Sequence, residues 1–142
     1  MIRTSKEIQG DFYRMVQNSS LATAVSGKVY RASTDSSYRP RDSRVEDIEV
    51  IFSQGAVDQK MQSGVITILV YVADVDPYNN GVMVEDGNRV EELSRIAQNW
   101  IDSCPENGTP YSIKQLTAIT SIPIADIKQH AVSIQLHYTF YE

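Results

Sequence analysis

Hydrophobic and polar positions along this chain follow two periods, and the switches between them predict its elements. Ile8, Phe12, Met15 and Val16 recur at helical spacing behind Thr4-Ser5-Lys6-Glu7, where Glu7 stands three residues after Thr4 as in a capping box. That predicts a first amphipathic helix over about residues 5–18, ended by Asn18-Ser19-Ser20. Gly27 then leads into a short strand, Lys28 to Ala32. From Val45 to Ser53, Ile48, Val50 and Phe52 alternate with Asp47 and Glu49, the pattern of a half-buried strand. From Val65 to Val75 both alternating sets are apolar, as in a strand covered on both faces.

The period changes again after Asp86. Val90, Leu93, Ile96, Ala97, Trp100 and Ile101 form one stripe at helical spacing, with Arg89, Glu91, Glu92 and Arg95 outside it. A strand is expected around Tyr111 to Ile119. The last strand, Gln129 to Tyr141, points Val132, Ile134, Leu136, Tyr138 and Phe140 inward.

Turn-forming residues place loops at about 33–44, 55–63 and 74–87. These elements define an α+β fold class: a mostly antiparallel sheet with a long hairpin and two amphipathic helices packed on it. All 142 residues are expected in a single domain (1–142), the size at which one core suffices. The segment 55–63 exceeds what a hairpin connection needs, and an extended strand pair of this length offers an edge to be paired.

Composition narrows the function classes. With 42% hydrophobic and 22% charged residues the chain can bury an ordinary core. A net charge of −5 argues against a main task of gripping nucleic acid, though not against contact with DNA that passes by. Cys104 is the only cysteine, so no intrachain disulfide and no cysteine-based zinc site forms. No signal peptide is read at the start, and Val65 to Val75 is too short to span a bilayer; the expectation is a soluble protein made in a cytoplasm, with no membrane partner.

Candidate chemistry is sparse. His130 and His137 lie an odd number of residues apart in one strand and so point to opposite faces. Asp74, Asp76, Asn80 and Glu85 echo a calcium loop, but Tyr78 takes a ligand position and Asn79 replaces the glycine of the sharp turn. No phosphate-binding glycine loop, serine elbow or H-E-x-x-H pattern occurs. The reading is therefore of no enzyme, no cofactor and no metal.

Arg31, Arg39, Arg41 and Arg44 form the one basic cluster. Its plainest reading is a solvated loop; the sharper one is a loop docking onto carboxylates of a neighbouring subunit. Ala56, Val57 and Met61 give the 55–63 segment apolar surface worth burying against a neighbour. Arg39, Arg41, Arg44, Val57 and Met61 are thus the candidate oligomer-interface residues.

The order of elements carries a resemblance. The N-terminal helix, the G-K-V-Y strand start at Gly27 to Tyr30 and the Arg-Pro loop come first. The Gln62-Ser63-Gly64 lead into an apolar strand, the Trp100 helix and the final strand pair come after them. Together these resemble the tail-terminator and tail-completion proteins of tailed bacteriophages, of the minor-tail-protein-U type. The resemblance implies a small α+β subunit that forms a cyclic homo-oligomer at the neck of the virion, as tail terminator or head–tail connector. Its partners would be copies of itself, the tail tube and portal or neck proteins, with DNA passing through unbound. Carboxylates would line that channel. The competing reading is a small bacterial domain binding a ligand or protein in a cleft of the sheet, with an enzyme third.

Overall fold

Thr4 opens the first helix as its spacing predicts. Its hydroxyl accepts from the Glu7 backbone N–H at 3.2 Å, and the Glu7 carboxylate accepts from the Thr4 N–H at 3.1 Å. The computed structural model describes residues 2–33 and 35–141. Within them the chain runs α1 (Ser5–Gln17), α2 (Ser20–Ala24), β1 (Val29–Ala32), β2 (Ile48–Asp58), β3 (Met61–Ala73), α3 (Gly87–Asp102), β4 (Ser112–Gln115), β5 (Thr120–Ile124) and β6 (Gln129–Tyr141), with a 3-10 turn at Ala125–Ile127.

The six strands form one sheet in the order β1-β2-β3-β6-β4, and β5 pairs with β6 further along the same side. Only the β1–β2 pairing is parallel. The fold is α+β with a mostly antiparallel sheet, and α1 and α3 cover one face. Ile8, Phe12 and Val16 of α1 and Leu93, Ala97 and Trp100 of α3 pack on Val50, Ile68, Ile134, Leu136 and Tyr138. The stripe around Trp100 therefore lies against the β6 face that its periodicity anticipated.

Three elements differ from expectation. The 55–63 segment is not a loop: β2 runs to Asp58, β3 starts at Met61, and Gln59-Lys60 alone make the turn. Gln59 takes the positive φ, 56°, that such two-residue turns require at their first position. Its polar, glycine-bearing sequence hides the strands because no core covers this part on both faces. Gly55 and Gly64 face each other in register, and a Cβ at Gly64 would lie 2.1 Å from the Gln54 carbonyl and 2.7 Å from the Tyr138 hydroxyl. The glycines are there for close approach, not for a turn.

Second, the strand expected around 111–119 forms only over Ser112–Gln115 as β4, and an unexpected strand, β5, follows it with Pro123 at the sheet's edge. Third, the connection after α1 forms the short helix α2, capped by Ser19.

Candidate assembly interface

Among the described residues, the upper half of the sheet has two open edges. β1 pairs only with Ile48 to Ile51 of β2, so Ser53 to Asp58 run beyond it with one side unpaired among the described residues. At ~3.3 Å per residue this is an overhang of about 20 Å. On the far side of the sheet β5 pairs only with residues 129–133 of β6, leaving β4 as the outer strand beside residues 136–139. Ala56, Ser63, Thr139 and Ser112 stand in one row across the four strands. Both free edges thus lie at one height, and their strands run in opposite directions.

An extra residue on β2 at Phe52–Gln54 breaks the register where the overhang begins. Such a bulge bends its strand and re-aims the residues beyond it. The arm is nevertheless anchored. Gln62, buried, accepts from the Arg3 N–H at 2.8 Å and donates to the Arg3 carbonyl at 2.9 Å, tying α1 to the hairpin.

The five candidate interface residues do not converge. Val57 (53% exposed) and half-buried Met61 sit at the hairpin tip, where Met61 pairs with exposed Tyr141. The arginine loop lies at the other end of β6. Arg44 donates to the Ile127 carbonyl at 2.6 Å, and Arg41 is exposed. Arg39 corrects the expectation of a solvated docking side chain, because it is buried within the subunit. Its Nε donates to Asp47 Oδ2 at 2.9 Å, and Nη2 donates to Gln129 Oε1 at 3.0 Å and to the Val45 carbonyl at 3.2 Å. Its guanidinium lies over the Tyr71 ring, 4.0 Å from the centroid.

A connected polar network continues from there. Asp47 also accepts from the Ser43 hydroxyl at 2.6 Å and the Lys28 N–H at 2.9 Å. The Tyr71 hydroxyl donates to Glu49 at 2.6 Å; burial first, and Glu49 next, raise its pKa. This network closes the arginine loop over the lower part of the helix-free face. Sequence reading missed Asp47, Glu49 and Gln129 as its partners; the signal was present in two acids on a strand beneath an arginine-rich loop.

Above the network, the helix-free face carries Ser53, Ser63, Thr67, Ser133, Gln135, His137 and Thr139. These are hydroxyls and an amide with one imidazole, and Lys114, opposite His137, and Asp58, opposite Met61, add one charge of each sign to the same face. Carboxylates stand on this face at Asp58 near the hairpin tip and at Asp47 and Glu49 within the network, and others lie on the 74–87 segment and α3.

The remaining polar clusters among the described residues pair locally. His130 Nδ1 is 2.7 Å from Asp74 Oδ1, and its Nε2 is 3.9 Å from Glu85. The nearby Ser121 hydroxyl bonds to Glu85 and not to the imidazole, so it lacks the base contact of an activated nucleophile. Asp76 accepts from the Asn80 and Gly81 N–H groups at 3.0 and 2.8 Å, folding its own loop while Asp74 turns to His130. Among the described residues no three His, Cys, Asp or Glu side chains converge as metal ligands do, and no helix is long and apolar enough to cross a membrane.

No protein-family model matches the chain, and no curated protein matches it significantly in sequence.

Proposed function

We propose that this chain is a non-enzymatic structural protein of a tailed-phage virion, a ring-forming neck component that joins tail to head as terminator or connector. The observation that carries this reading is the pair of open strand edges at one height on opposite sides of the sheet. In a head-to-tail contact, the β2 overhang of one copy lies antiparallel to β4 of the next, and their free backbone groups complete each other's ladders. Such a contact is heterologous, so repetition closes a ring when the rotation permits. Val57 and Met61 at the tip add apolar surface beside it.

With the helices outward, the helix-free face lines the opening. DNA then passes over mainly hydroxyl and amide groups, with Lys114 and Asp58 opposing each other in charge, so few cations meet the phosphates. The ring's axial faces are left for the tail tube and the portal or neck proteins.

Negative-stain images of the purified protein, alone and with tail tubes, test this. Closed rings that cap the tubes are expected. A compact monomer that neither forms rings nor binds tubes at any concentration would favour a small binding domain instead.

A further inference from the structure

We infer that the two flanks of the subunit recognise each other by charge, the Lys6–Arg31 face of one copy seating against the Glu91–Glu92 face of the next. This rests on the ring reading above and names the side chains that would orient the contact.

Charge is segregated along the chain. Residues 1–44 hold eight Lys and Arg against four Asp and Glu, while residues 74–106 hold two against eight. Within these segments, Lys6 and Arg31 lie beside β1, whereas Glu91 and Glu92 lie on α3 beside Gln115 of β4. Lys6 and Arg31 line a groove of about 320 Å³ beside β1, the first strand of the sheet. The Arg31 guanidinium is held over the Tyr13 ring at 5.0 Å, and neither Lys6 nor Arg31 has an ion-pair partner among the described residues. The acids nearby are already engaged. Glu7 closes the Thr4 cap, and Asp11 takes Arg3, Arg14 and the Tyr111 hydroxyl.

On the other flank Glu91 and Glu92 stand exposed on α3, in the wall of a groove of about 680 Å³ that reaches Gln115 of β4. Arg89, which reaches Glu92, is also committed to Glu46 at 2.6 Å and to the Ala24 carbonyl at 2.7 Å; Arg95 is the one other cation of that wall. A contact that brings β2 of one copy to β4 of the next carries the β1 flank to the α3 flank with it. A two-fold pairing of β1 flanks would set Lys6 and Arg31 against themselves. Charge therefore favours the head-to-tail arrangement over a closed dimer, by attraction in one and repulsion in the other.

The test is sedimentation velocity at about 0.1 M salt, where surface charges are only partly screened. It compares wild type, Lys6→Glu/Arg31→Glu, Glu91→Lys/Glu92→Lys and the chain carrying all four changes. Each double variant is expected to self-associate on the order of 100-fold more weakly, about tenfold for each close pair reversed, and the fourfold variant to regain most of it. Because Arg31 packs on Tyr13, Lys6→Glu alone is run beside it, with circular dichroism to establish folding. Rings that persist unchanged in both double variants overturn the charge contact and leave the ring reading intact. Weakened double variants with no recovery in the fourfold variant show that the two flanks do not meet each other. A monomeric wild type overturns both readings.

Discussion

Arg39 and Asp47 form an ion pair sealed inside the subunit, with 4% and 1% of their side chains exposed. That guanidinium meets a carboxylate, backbone carbonyls, the Gln129 amide and the Tyr71 ring within the subunit. The arginine loop is therefore clamped to the sheet by one of its own arginines. A buried pair of this kind is costly to break because the survivor is left charged and unpaired. Arg39→Ala is expected to lose about 3–5 kcal/mol of stability. Arg41→Ala, at an exposed position, should stay within about 0.5 kcal/mol of wild type. Urea denaturation of the two variants checks the contrast. A near-neutral Arg39→Ala that loses only assembly would return Arg39 to the interface.

Tyr71 gives the same network a signature at alkaline pH. Burial and the bond to Glu49 hold its folded pKa above the ordinary value near 10. Linkage sets the sign. Stability from Tyr71 is fully present below the unfolded value and is lost as pH rises from about 10 toward the folded one. Tyr111 and Tyr138 are raised too, each chiefly by burial. Melting temperatures of wild type should fall above about pH 10, and Tyr71→Phe should fall less steeply over the same window. Equal slopes would mean that Tyr71 ionises freely in the folded subunit.

Trp100 tests the helix layer. It is buried in the cluster that joins α3 to β6, so Trp100→Ala is expected to cost about 3–5 kcal/mol. A loss below about 1 kcal/mol in denaturant titration would place the indole at the surface.

Legibility tracked how much of each element the core covers. The α1 and α3 stripes, the apolar run of β3 and the alternation of β6 are written in residues whose burial follows period, and their elements formed as expected. The hairpin tip escaped because Ser53 to Asp58 bury almost nothing within the subunit, leaving no alternation to read. β5 escaped because Thr120 to Ile124 pairs on one side only and contains a proline. The arginines were visible as a cluster, yet composition could not separate Arg39, which finds Asp47, from Arg41, which faces solvent. That difference depends on a contact made across the fold by residues 39, 47 and 129.

Assembly through the β2 overhang is best tested by molar mass from light scattering after the overhang is removed. Gln54 and Val65 are paired, so replacing residues 55–64 with Asn-Gly closes a two-residue hairpin on an existing register. The truncation also removes the Gln62 tie to Arg3, so circular dichroism and a thermal melt accompany the mass measurement. A closed oligomer is expected for wild type and a folded monomer for the shortened chain. A shortened chain with the oligomeric mass of wild type, or a wild type that stays monomeric at every concentration, would contradict assembly through this edge.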